Sequence, residues 1–107
     1  MSQTRYMPAA LQALDDIADY TLKTWGQKQR DAYLGGLFNH CEALHASTRP
    51  APIPKSLELE GYVARYKRHR IYWRQDEQGD TIIVHILHER MLPEKHLYVA
   101  FQDLNLT

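Results

Sequence analysis

The chain has one cysteine, Cys41, so an internal disulfide framework is excluded. Such sparse cysteine usage fits a reducing compartment. It has no apolar run approaching the roughly 18–20 residues that a membrane span needs. Its five glycines are scattered and make no phosphate-cradling loop. No serine sits in a nucleophile elbow. The opening Met1-Ser2-Gln3-Thr4-Arg5 lacks the apolar stretch of a secretory signal, and none is expected. A charge excess is missing too: 13 Lys and Arg balance 13 Asp and Glu. Neutrality argues against a surface that is a polyelectrolyte binder throughout. What remains is ordinary for a globular protein, with 107 residues, 44% hydrophobic and 24% charged. One domain over 1–107 is expected.

The charge that is present is unevenly placed. Residues 61–75 carry Arg65, Lys67, Arg68, Arg70 and Arg74 with no acid, whereas residues 76–107 carry two bases and six acids. The central block can meet an anionic partner, or it can simply be a solvated strand face.

Pro50, Pro52 and Pro54 divide a helical first half from a strand-rich second half. In the first half, Leu11, Leu14, Ala18 and Trp25 recur at helical spacing, with Ile17 and Thr21 beside them. Pro8 suits a first helical turn, and Gly26 ends the run. Leu34, Leu37, Phe38, Cys41 and Leu44 form a second stripe. The expectation is a helical hairpin over about 9–25 and 27–46. Leu11, Leu14, Ala18, Leu34, Leu37, Phe38 and Cys41 are expected to be buried against Ile82, Val84 and Ile86 or their alternates. Gly35 and Gly36 inside the second helix each cost about 1 kcal/mol relative to Ala, which suggests close approach of helix backbones.

After the prolines the period changes from 3.6 to 2. Tyr62–Tyr66, Arg70–Arg74 and Thr81–His88 read as strands, with a polar turn at 76–80. The last is nearly apolar on both faces, so it should be central and covered by helices on at least one side. Residues 3–7 fit a short first strand. After Pro93, Leu97, Phe101 and Leu104 fit a helix, but Leu97-Val99-Phe101 also fits a strand. The fold class is α+β, in the order β-α-α-β-β-β, with a helical hairpin packed on a small, mainly antiparallel sheet and a short C-terminal segment.

His88-Glu89 is not a zincin motif, because position 92 is Leu. His85 and His88, three apart on a strand, should point to opposite faces and not share a metal. No metal or other cofactor is expected. A metal-free ribonuclease would need a base, an acid and cations on the phosphate. Arg65, Lys67, Arg68, His69, Arg70, His88, Arg90 and Tyr98 supply those residue types, although arginines make weak bases.

Three stretches in this order resemble the ParE branch of the ParE/RelE toxin superfamily of type II toxin–antitoxin systems. They are Leu14-Asp15-Asp16-Ile17-Ala18-Asp19-Tyr20-Thr21 with Trp25-Gly26 and Gln29; Tyr33-Leu34 with Leu37; and Ile83 to Met91, ending His88-Glu89-Arg90-Met91 and preceded by Gly61-Tyr62, His69 and Ile71-Tyr72-Trp73. The likeness covers residues 5–97. It departs at Leu92, where family members commonly place a helix-capping Asp, and at the idiosyncratic stretch 47–60.

The resemblance implies a bacterial cytoplasmic toxin, not itself a catalyst, that traps DNA gyrase on cleaved DNA. It implies a ParD-like antitoxin encoded beside it, no membrane, and contact with DNA only through antitoxin or gyrase. Arg65, Arg70 and Arg74 are the expected antitoxin contacts. Lys67, Arg68, His88 and Arg90 are the expected target contacts. The alternatives are a ribosome-dependent messenger-RNA endoribonuclease of the RelE type and a non-toxic interaction domain with the same fold.

Overall fold

The structure, a computed structural model, describes residues 3–105. Strand β1 (Thr4–Tyr6) leads into helices α1 (Pro8–Trp25) and α2 (Gln27–Ala43). A loop with a short strand β2 (Ala51–Pro52) leads to β3 (Tyr62–Tyr66), β4 (His69–Gln75) and β5 (Thr81–His88), and helix α3 (Leu97–Asn105) follows. The sheet order is β1-β5-β4-β3-β2, with β1 parallel to β5 and the other neighbours antiparallel. The proline segment supplies a two-residue edge strand. Its Pro52 stands on a sheet edge, where a missing N–H breaks no ladder.

Gly26 makes the hairpin. At φ 91° its N–H donates to Leu22 O, closing α1, and its carbonyl accepts from Arg30 N–H, opening α2. One residue ends one helix and starts the next, which only a residue tolerant of positive φ does cheaply.

The hairpin covers one face of the sheet. Ala10, Ala13, Leu37, Cys41 and Leu44 pack on Ile71, Trp73, Ile83 and Ile86. The α1 stripe is rotated from the expected one. Its inward face is Ala10, Ala13, Leu14, Ile17 and Thr21, while Leu11 is 51% and Trp25 70% exposed. Small alanines let α1 lie close to the sheet, and Thr21 satisfies its buried hydroxyl on Ile17 O at 2.7 Å. Phe38 is also outside the core, 47% exposed, and stacks on Tyr6. Ala18 and Leu34 are half-buried. Burial raises the Cys41 thiol to about 12, so it is inert at neutral pH.

The opposite face is covered by α3 and the 53–59 loop, which bring Leu97, Ala100, Phe101 and Ile53 onto Tyr72, Ile82, Val84 and Leu87. The tail is therefore helical. Leu92 offers no side-chain cap, and a 3₁₀ turn at Pro93–Lys95 intervenes before the helix begins. Burial of Leu97 and Phe101 stabilises α3 in place of a cap. A bulge in β5 opposite Tyr72/Trp73 leaves Val84 unpaired, since Tyr72 faces His85 and Trp73 faces Ile83.

The two helical glycines differ. A Cβ on Gly36 would collide with the Tyr66 hydroxyl, so the close approach is made by a β3 side chain rather than by a helix backbone. Gly35 faces open space. Gly35→Ala is expected to stabilise the fold by about 1 kcal/mol, raising the thermal midpoint by about 4–8 °C. Gly36→Ala, which displaces Tyr66, should show no such gain. Thermal unfolding of the two variants side by side checks this.

Candidate functional site

A two-residue connection between β3 and β4 puts Lys67 at φ 51° and Arg68 beside it, closed by the Tyr66–His69 pair. The β4–β5 ladder continues past this turn, with Glu89 N–H donating to Arg68 O at 2.8 Å. That bond brings Arg90 next to the turn. The Lys67 ammonium stands 5.7 Å from the Tyr33 ring and 5.5 Å from the Tyr66 ring, within cation–π range.

Arg68, His69, His88 and Arg90 form one wall of a groove of about 540 Å³. Ile17, Tyr20, Thr21 and Trp25 of α1, with Gln29 and Tyr33 of α2, form the other. No carboxylate lines it. Tyr20 and Trp25 are 68% and 70% exposed at its rim. The expected target residues are thus brought together: three line this groove, and Lys67 sits on the adjoining turn. The aromatic wall was not singled out as a binding surface in the sequence. The available signal was that Tyr20 and Trp25 flank the end of the buried α1 stripe.

The groove floor is a linked set of rings. Tyr33 Oη and His69 Nδ1 share a 2.6 Å hydrogen bond, and the His69 and His88 rings meet edge-on at 5.3 Å. His88 Nδ1 accepts from Arg90 N–H at 3.1 Å, which leaves Nε2 to carry the proton of the neutral ring. Burial, aided by His88, lowers His69 to about 4, and burial raises Tyr33 above the usual tyrosine value. His69 is therefore neutral at pH 7.

This depression makes stability depend on pH. Above about 6.5, the unperturbed histidine value, His69 is neutral in both folded and unfolded chains. Between that and about 4 the unfolded chain binds a proton that the native chain refuses, so stability falls as pH falls. His85, lowered by burial, acts in the same direction. The urea midpoint should drop from pH 7 to pH 5, and the drop should be smaller in His69→Gln.

A second groove of about 450 Å³ shares Ile17, His69 and His88 and adds Met91, His85 and His96. By register His85 lies opposite Tyr72 and His88 opposite His69, which are on different faces. Both nevertheless reach this groove, which runs along β5 beyond the end of β1. Among the described residues no group of three or more His, Cys, Asp or Glu is placed to hold a metal ion.

The three arginines expected to meet an antitoxin lie on the other face of the sheet. Arg65 and Arg70 are cross-strand partners, and Arg70, Tyr72 and Arg74 alternate with core residues of the hairpin side. Arg65 is held by Glu89 at 2.6 Å and by Lys67 O at 2.9 Å. Arg74 stands near the far end of β4, where it lines a separate hollow with Gly61 and Ile53. The structure thus pairs Arg65 with Arg70 and sets Arg74 apart along the same face. Tyr98, on α3, is exposed and does not line the Arg68–Arg90 groove.

Fold and groove together define a small α+β domain. It is a helical hairpin on a five-stranded mixed sheet, with a cationic, aromatic-rimmed surface at one end. The model of the ParE toxin of type II toxin–antitoxin systems matches residues 4–93, and the chain belongs to this family. It is 29% identical over 102 residues to Toxin ParE1 of Mycobacterium tuberculosis, in strains CDC 1551 / Oshkosh and H37Rv, covering 88% of this chain and 98% of the relative. Its fold is similar to a solved chain of the chromosomal ParDE system from P. aeruginosa, with a TM-score of 0.67 at 13% identity over 82% of this chain and 96% of that one.

Proposed function

We propose that this toxin arrests growth by binding DNA gyrase and stabilising its cleaved-DNA complex, and that it does so without proton-transfer catalysis. The observation that carries the reading is the convergence of Arg68, His88 and Arg90 with Trp25 and Tyr20 on one surface whose central imidazole, His69, is held neutral down to about pH 4. A general base works best with a pKa near the operating pH, and His69 lies well below it. Binding to an anionic or aromatic-seeking partner needs only the cations and rings. A cytoplasmic location goes with this target. No helix among the described residues is long and apolar enough to cross a membrane.

The partner that neutralises the toxin is, on this reading, a ParD-like antitoxin whose acidic C-terminal arm meets Arg65, Arg70 and Arg74 through charge-assisted hydrogen bonds. A pull-down with all three changed to Glu tests it, and unchanged affinity would place the arm elsewhere.

The RelE-type ribonuclease reading keeps one observation in its favour, the clustering of His69, His88, Tyr33 and Arg68. The deciding experiment measures gyrase supercoiling, cleaved-DNA accumulation and messenger-RNA cleavage on ribosomes with the same protein. The expected result is the first two effects without the third. His88→Ala should then weaken poisoning by roughly 5–30-fold, overcome by more protein. Loss of a general acid or base would instead cost roughly 10²–10⁴-fold in rate. Ribosome-dependent cleavage abolished in Tyr98→Phe or Arg68→Ala would hand the case to the ribonuclease. Absence of growth arrest altogether would favour a non-toxic interaction domain.

A further inference from the structure

We infer that the groove between the α1–α2 hairpin and the β3–β4 turn binds single-stranded nucleic acid directly, with phosphates on Arg68, Arg90 and Lys67 and bases stacked on Trp25 and Tyr20. Direct contact goes beyond a toxin that meets DNA only through its protein partners.

Three observations converge on this ligand class. The first is charge. Two guanidiniums line the groove, the Lys67 ammonium is on the adjoining turn, and no carboxylate lines the groove. Arg68 has only a 3.7 Å contact to Glu89 and a 70% exposed side chain, so its donors are free to turn toward a phosphate. Arg90 makes no ion pair with any described carboxylate within 4.0 Å, and its residue is exposed.

The second is the aromatic rim. Trp25 and Tyr20 expose 70% and 68% of their surface at the groove mouth. On a chain that buries its other tryptophan to 2%, this is large apolar area left uncovered. Their spacing of five residues sets them about 7.5 Å apart along the helix axis, so they offer two separate platforms. A base has a π-face whatever its identity, so such platforms suit single strands without sequence preference.

The third is shape. The groove is an open trough of about 540 Å³. That volume lies within the roughly 300–1,000 Å³ typical of ligand sites, enough room for a nucleotide or two. An acidic peptide would use the same cations, yet it would leave the exposed indole and phenol without flat partners.

The test uses the full chain with fluorescently labelled 12-mers of DNA and RNA of the same sequence, read by anisotropy. Quenching of Trp25 serves as a second signal, since the other tryptophan, Trp73, is buried. Saturable binding is expected. Its logarithmic salt slope should be about −2, from about 0.7 for each of three phosphates. Trp25→Ala should lose roughly 5- to 150-fold in affinity, and Trp25→Phe should recover most of it. Arg68→Glu with Arg90→Glu should abolish binding, and Lys55→Glu, in the loop that covers the opposite face of the sheet, should not change it. Circular dichroism establishes that each variant is folded. Tighter binding of either the DNA or the RNA strand supports the inference and identifies the source of the ligand.

No binding by the wild-type chain overturns it. So does binding that survives both Trp25→Ala and the double glutamate variant, or binding shown by an acidic peptide but by neither oligonucleotide. The inference stands apart from the gyrase reading. Gyrase inhibition without oligonucleotide binding removes this inference and leaves that one, and the converse result does the reverse.

Discussion

Replacing Arg68 and Arg90 together with glutamate is expected to reduce gyrase inhibition roughly 100- to 1,000-fold, while capture by the antitoxin persists. Each arginine removed from an interface commonly costs ~1–2 kcal/mol, or roughly 5–30-fold. Here two are removed from one groove wall, where no third guanidinium is available to take over. Reversal also adds repulsion against an anionic target, in a groove that has no carboxylate of its own. The fold should be indifferent, because both residues are exposed and Arg68 makes only the long contact to Glu89. The arginines proposed to meet the antitoxin lie on the opposite face of the sheet, and Arg65, which shares Glu89 with Arg68, holds it by the closer 2.6 Å contact, so capture reports on that face. Supercoiling assays over a toxin titration, beside an antitoxin pull-down, measure both. A loss smaller than fivefold would show that the target is bound somewhere other than this groove.

The second large effect is on stability. Gly61→Ala should destabilise the native state by about 3 kcal/mol or more, a large share of the 5–15 kcal/mol that holds a domain of this kind together. Gly61 has φ 149°, and a Cβ there would lie 2.8 Å from the Trp73 carbonyl oxygen, 3.0 Å from Arg74 Cγ and 3.2 Å from Ile53 Cδ1. A side-chain tip can move, but the Trp73 carbonyl belongs to the central ladder and cannot. The Gly61 carbonyl also accepts from Ile53 N–H at 3.0 Å, which ties the proline loop to the sheet. Displacing this residue therefore loosens Ile53, a buried member of the second core cluster. A midpoint lower by about 12 °C or more in thermal unfolding is expected. A shift under about 4 °C would mean that the loop and β3 relax together at little cost.

The element plan was legible because each element carries its own period. Thr81–His88 is apolar at nearly every position, so a place inside the sheet with helices over at least one face could be expected; the structure covers both. Gly26 marked the hairpin because no other residue type enters its conformation cheaply. The rotation of α1 was not legible. Leu11 and Trp25 outweigh Ala10 and Ala13 in any hydrophobicity count, yet the sheet selects the small pair because only they let the helix approach. Nor could periodicity decide the tail, since Leu97, Val99 and Phe101 satisfy a strand and Leu97, Phe101 and Leu104 a helix. The apolar patch formed by Tyr72, Ile82 and Leu87 settled it by offering a face to a helical stripe.

The candidate site divides in the same way. The residue types, the basic block and the toxin family were readable along the chain, because composition and local motif are properties of neighbours in sequence. Which of the basic residues act together was not. Arg68 and Arg70 are two residues apart, yet Arg68 joins His88 and Arg90 on the hairpin side while Arg70 joins Arg65 on the other. Alternation alone would set residues two apart on one face; the turn closed between positions 66 and 69 takes Arg68 out of the strand and sends it to the other side. Trp25 met the same groove only when Gly26 folded α2 back beside α1. Long-range pairing brings together side chains from α1, α2, the β3–β4 turn and the ends of β4 and β5, and no local pattern encodes that meeting.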